Sequence, residues 1–135
     1  MKKLLILFVI FMFPVAGLLA QQPQTAANDS IVFEKLVHDY GTVTQGADGG
    51  CEFVFVNRGE KPLILSNVRA SCGCTAPTWP KEPILPGQKG IIKVGYNTMI
   101  IGGFSKSITV TSNAVNSNVN LIVKGNVIPK GQASN

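Results

Sequence analysis

The chain has little charge, 14% Asp, Glu, Lys and Arg, and only one histidine, one tryptophan and three cysteines in 135 residues. Each shortage excludes something. A structural zinc site needs four ligands, and the usual soft ligands here are Cys51, Cys72, Cys74 and His38, so every one would have to converge; no resident metal or cofactor is expected. The lysines are scattered (Lys61, Lys81, Lys89, Lys93, Lys106, Lys124), and no basic run interleaves with aromatics, which excludes a nucleic-acid face. Helical periodicity is absent. The longest apolar stretch, residues 4–13, is shorter than the ~20 residues a membrane-spanning helix requires.

That stretch follows Lys2 and Lys3 and leads through Pro14 to small residues ending at Ala20, the pattern of a cleaved secretory leader over residues 1–20. Gln21, Gln22 and Pro23 follow without a basic stop-transfer cluster, so no integral membrane segment is expected in the mature chain. The first cysteine, Cys51, lies far beyond the junction, which argues against a lipid anchor there. Without the two leader lysines the net charge falls from +5 to +3. Residues 21–30 are polar and read as a flexible tether, residues 31–128 as one domain with a modest core, and residues 129–135 as a tail. The expected location is the periplasm, the cell surface or the exterior.

Within the domain, apolar residues come in short stretches parted by turn residues about every 8 to 12 positions, the spacing of an all-β sandwich or barrel. Residues 31–36 read as a first strand, and His38-Asp39-Tyr40-Gly41 as a turn into a short piece around Thr42 and Val43. Cys51, Phe53 and Phe55 alternate with Glu52, Val54 and Val56, so their face points into the core. Residues 63–68 form the next strand. Pro77, Pro80, Pro83 and Pro86 punctuate residues 71–87 and confine that segment to an edge or loop. Strands resume over 91–96, 104–112 and 119–127, with Gly102-Gly103 as a turn and Gly125 as a bulge.

Gly41-Thr42-Val43, Phe53-x-Phe55-x-Asn57-x-Gly59, Pro62-Leu63-Ile64-Leu65 and Ser71-Cys72-Gly73-Cys74-Thr75 occur in that order. Trp79-Pro80, Pro86-Gly87-Gln88-Lys89-Gly90 and Ser112-Asn113 follow. Over residues 31–127 this resembles the bacterial family called domain of unknown function 1573. That family is similar in turn to the immunoglobulin-like Hydin, major sperm protein and pilus-chaperone domains. The resemblance implies a seven-stranded Greek-key β-sandwich and no particular activity. An antibody-type bond between the sheets is excluded, because residues 104–112 contain no cysteine.

Chemistry concentrates in Cys72-Gly73-Cys74. Two residues of strand span about 6.6 Å, near the upper limit for a disulfide, so bonding this pair requires a contracted backbone. Three readings follow: a disulfide or a loop pair beneath Trp79 that pins the proline-rich segment, thiol-disulfide exchange with a partner, or soft-metal (copper) handling completed by His38 or Cys51. No helix follows Cys74 to lower its thiol pKa as in Cys-x-x-Cys catalysts. Thr75, Trp79 and Pro80 are candidate interaction residues, with Trp79 expected as a plug over the core. Cys51 is expected to be a core thiol beside Phe53 and Phe55. His38 reads as a solvated turn residue, and Asp39 and Glu52 as part of a solvated face rather than a catalytic pair. No catalytic residue is assigned. The sequence therefore predicts an exported, non-enzymatic binding or scaffolding module with a protein partner, which an edge strand or the 70–86 loop would meet by β-augmentation or loop contact.

Overall fold

The computed structural model describes residues 30–132, so the expected leader, most of the tether and the last three residues lie outside the described part. Eight strands follow one another: β1 Ile31–Phe33, β2 Val37–Thr44, β3 Gly50–Asn57, β4 Leu65–Ala70, β5 Thr75–Thr78, β6 Lys89–Tyr96, β7 Gly102–Ser112 and β8 Asn118–Ile128. They form two four-stranded sheets, ordered β1-β3-β6-β5 and β2-β8-β7-β4. This is the arrangement of an immunoglobulin-like sandwich. The period-2 alternation read from the sequence builds its core. Phe53 and Phe55 of β3, Ile92 and Val94 of β6, Ile108 and Val110 of β7, and Leu121 and Val123 of β8 all face inward and are almost wholly buried. Fully burying one such side chain is worth about 1.5–3 kcal/mol.

Seven expected strands become eight because the proline-rich segment contributes the edge strand β5, and the short second piece lengthens into β2. β1 pairs antiparallel with β3, the chain then changes sheets over residues 34–36, and β2 pairs parallel with β8. His38 to Gly41 is therefore strand and not turn, a correction with a local cause. The register with β8 slips between Asp39 and Thr42, where one extra residue is accommodated at Gly41, which has φ +65°. The bulge expected at Gly125 thus belongs to the neighbouring strand. Gly125 supplies clearance instead, since a Cβ there would come within 3.0 Å of the Gly41 carbonyl, the Tyr40 side chain and the Phe104 ring. Gly102 and Gly103 likewise open β7, pairing with Val127 and Asn126. The reversal before them lies at Asn97, whose side chain accepts the Met99 N–H at 3.0 Å.

One buried amide helps to fasten the proline-rich segment. Asn57, only 2% exposed at the end of β3, donates through Nδ2 to the carbonyls of Lys61 at 2.7 Å and Ile84 at 2.8 Å, and its Oδ1 accepts the Gly59 N–H at 2.9 Å. Its main chain bonds Gln88 and Gly87. Buried polar groups left without partners cost about 1–3 kcal/mol each. Asn57→Leu, similar in branching but without the amide, is therefore expected to lower the unfolding free energy by about 3 kcal/mol in urea titration, whereas Asn67→Leu on the exposed side of β4 stays within about 0.5 kcal/mol.

Candidate functional site

β4 ends in one sheet and β5 begins in the other, so residues 71–74 bridge the two layers. Each end of the bridge is tied down: Ser71 donates its N–H to the Ser107 carbonyl at 2.9 Å, and Asn97 donates to the Cys74 carbonyl at 2.9 Å. The Thr75 N–H closes the intervening turn onto the Cys72 carbonyl at 3.4 Å. The turn brings the Cα atoms of Cys72 and Cys74 to 5.3 Å, with their sulfurs in bonding contact. The contraction comes from the turn and not from any left-handed glycine, because Gly73 is not among the residues with positive φ. A Cβ on Gly73 would meet no atom within 4 Å, so the space over this residue is open.

Thr75 is 4% exposed, and its hydroxyl stands 3.9 Å from the sulfur of Cys72 and 3.9 Å from that of Cys74. One buried hydroxyl thus serves both sulfurs. Trp79 lies at the far end of β5, five residues or about 16 Å of extended chain from Cys74. The pair is therefore not seated beneath Trp79, because β5 runs between them. The half-buried indole packs against the core instead, and the Lys81 ammonium lies 3.1 Å from its ring centroid. A bond closing three residues constrains the unfolded chain little, about 1.6 kcal/mol in the chain-entropy treatment against about 3 kcal/mol for a 15-residue loop.

β5 is an edge strand, as its prolines imply. Bonded pairs alternate along an antiparallel ladder. The Asn97-to-Cys74 bond and the register from Thr75↔Tyr96 to Thr78↔Lys93 therefore direct the main-chain groups of Ala76 and Thr78 toward β6 and those of Thr75 and Pro77 outward. The Thr75 N–H is already bonded to Cys72, and Pro77 has none. The free side of β5 therefore offers carbonyl acceptors but no donor to an added strand.

The outer surface of the same sheet is more accommodating. Gly50, Gly95 and Ala76 stand side by side across β3, β6 and β5, and the adjacent row is Glu52, Lys93 and Thr78. The small residues leave a shallow recess of about 400 Å³, open to solvent and bounded also by Asp48. A second recess of about 240 Å³ continues past Thr78 and Lys93 to Trp79, Pro80 and Ile91. Thr78 and Lys93 line both. Composition could not reveal Gly50, Gly95 and Ala76 as a group, because only the register across three strands aligns them.

Cys51 is half-buried on β3, packed against the core. Burial raises its thiol pKa, which keeps the sulfur protonated and weakly nucleophilic. Tyr40 beside it donates its hydroxyl to the Gly49 carbonyl at 2.6 Å, and its pKa is raised chiefly by burial. His38, placed on β2, meets Tyr40 edge-on at 4.5 Å between ring centroids and accepts a bond at Nδ1 from the Lys35 ammonium 2.9 Å away. Burial, then the Lys35 charge, lowers its pKa, while Asp39 opposes them. Asp39 pairs with Lys124 at 3.8 Å, and Glu52 lies in the recess wall on another sheet. Among the described residues no three His, Cys, Asp or Glu side chains gather to hold a metal, and no helix is long and apolar enough to cross a membrane.

The strand order and the absence of any helix from the described residues define an immunoglobulin-like β-sandwich. Over residues 31–127 the sequence matches the family described as Protein of unknown function (DUF1573), and the chain belongs to that family. A search of curated proteins finds no match. Among solved structures, the chain is similar to a protein of unknown function from Porphyromonas gingivalis W83, with TM-score 0.65 and 18% identity over 78% of this chain and 51% of that one. It is also similar to the ASH / PapD-like domain 7 of human CEP192, at 0.64 and 8% over 87% and 98%. The YadV chaperone follows at 0.52 and 16% over 78% and 54%. This chain thus spans about half the length of the first and third, and at these identities the likeness establishes the fold alone.

Two measurements check this geometry. Replacing Cys72 and Cys74 together by serine is expected to cost no more than about 2 kcal/mol in urea unfolding of the oxidised protein, as a three-residue closure requires. The imidazole of His38 is expected to titrate by NMR below its ordinary 6.5. Lys35→Gln should raise the midpoint and Asp39→Asn lower it further. Because the folded midpoint lies below the unfolded one, this group contributes stability above pH 6.5 that is lost on acidification.

Proposed function

We propose that the protein is an exported, non-enzymatic binding module that holds a protein partner on the outer face of the β1-β3-β6-β5 sheet, along its β5 side. The row of Gly50, Gly95 and Ala76 carries the reading. Three adjacent strands forgo bulky side chains at one level, and the resulting recess is walled by Asp48, Glu52 and Lys93 and continues to Trp79 and Pro80. A concave surface with a small-residue floor and charges of both signs at its rim suits a polypeptide seated by contact with the 70–86 segment rather than by strand addition. The leader-like residues 1–20 support export to the periplasm or cell surface. The likeness to a PapD-like domain and a chaperone supports a binding role at the level of fold.

Gly95 makes the test clean, since a Cβ there would meet nothing nearer than the Ala76 carbonyl at 4.0 Å and the fold tolerates a side chain. A photo-crosslinking residue in place of Ala76 or Thr78, in cells that express the protein, is expected to trap one polypeptide. One in place of Thr109, on the outer face of the other sheet, is expected to trap none. Gly95→Arg should abolish the adduct while leaving the thermal midpoint within a few degrees. Equal trapping from Thr109, or an adduct that survives Gly95→Arg, would place the partner elsewhere.

A further inference from the structure

We infer that Cys72 and Cys74 exchange a disulfide with polypeptide thiols, and that the Thr75 hydroxyl holds the thiolate that each exchange releases. Three observations converge on this turn and none depends on the partner surface proposed above. The sulfurs are in bonding contact across a single residue, within a bridge anchored at Ser71 and Cys74. The space over Gly73 is empty, and both cysteines are only partly buried, so an incoming sulfur has an approach. A buried hydroxyl lies at the same distance from both sulfurs, so whichever of them leaves finds a donor already in place. Thr75 is held for this by its position in β5 opposite Tyr96, whose ring stacks on Phe104 at 3.6 Å.

A linkage relation adds direction. The fold can favour the oxidised pair only by as much as the bond favours the fold, and closing three residues favours it little. Reduction of the pair therefore costs the fold little, as a reversible carrier requires and a structural staple does not. In the forward step a thiolate of a substrate dithiol attacks one sulfur of the pair. The Cys72–Cys74 bond breaks, its electrons leave on the other sulfur as a thiolate beside Thr75, and an intermolecular disulfide forms. The second substrate thiol, deprotonated, attacks the substrate sulfur of that bond and expels the remaining cysteine. The substrate departs as a disulfide, oxidised by two electrons. The domain holds two thiols, having taken up the two protons the substrate lost. A small-molecule or protein disulfide reverses these steps and restores the pair. Thr75 stands beside both cysteine sulfurs and acts as a positioning residue that donates to whichever of them departs.

The test compares the oxidised, folded protein with the oxidised pentapeptide Ser-Cys-Gly-Cys-Thr, which has the same ring and no fold, using glutathione as the attacking thiol. The folded protein is expected to exchange about tenfold faster or more, the effect of one hydrogen bond to a developing charge. Thr75→Val should remove that advantage and Thr75→Ser restore it, with circular dichroism and the thermal midpoint confirming that each variant is folded. Across the pH range the difference between wild type and Thr75→Val should persist at fixed thiolate concentration, which separates leaving-group assistance from a change in the attacking thiol. Exchange no faster than in the pentapeptide, or a folded Thr75→Val protein as fast as wild type, would overturn the inference. Because glutathione needs no partner surface, its outcome is independent of the crosslinking result.

Discussion

The fold depends on the buried carboxamide of Asn57. β3 delivers it at the point where the chain leaves the core, and from there it joins the turn at Gly59 and Lys61 to the return of the proline-rich segment at Ile84. Residues 79–88 contain three prolines and contribute no strand, so they have few ladder bonds with which to hold themselves. Asn57 provides what a ladder would have provided. Leu63 and Ile84 then exchange their main-chain bonds at 2.8 Å in both directions, and β6 begins in register with β3. β6 in turn pairs with β5, the strand that bounds the recess and follows the cysteine bridge.

The edges of the sheets are managed by similar local devices. Pro77 and the turn at Cys72 leave the outer side of β5 without donors. At the opposite edge, the side-chain amide of Asn116 accepts the Ile31 N–H at 3.0 Å and donates to the Ile31 carbonyl at 2.8 Å, imitating one rung of a neighbouring strand. Both arrangements spare the β1-β3-β6-β5 sheet from uncontrolled pairing at its rims.

Much of this was legible in the amino-acid sequence, where packing obeyed the local pattern. Phe53 and Phe55 alternate with less buried neighbours, and Ile108 and Val110 do the same. Asn57-x-Gly59 and Pro86-Gly87 mark the turns that the amide fastens. The failures share one cause. His38 to Gly41 contains Asp and Gly, residues that favour turns, yet it is strand because β8 supplies a parallel partner and Gly41 absorbs the surplus residue. Gly102 and Gly103 open a strand because β8 pairs with them from the other side. The recess floor was invisible for a related reason, since Gly50, Ala76 and Gly95 are ordinary separately and meaningful only once aligned. Cysteine spacing located the turn between the sheets, and Thr75 lies next to it in sequence, but only the fold shows its hydroxyl within 3.9 Å of both sulfurs.

The change of sheets between β1 and β2 has a mechanical consequence. β2 runs parallel to β8, the first long strand of the domain beside the last. A pull between the segments that flank the domain draws these two strands past one another along their length. The rungs from Val37↔Ile122 to Thr44↔Ile128 then bear the load together instead of opening one after another, and the domain resists extension far better than an end-to-end antiparallel pair would.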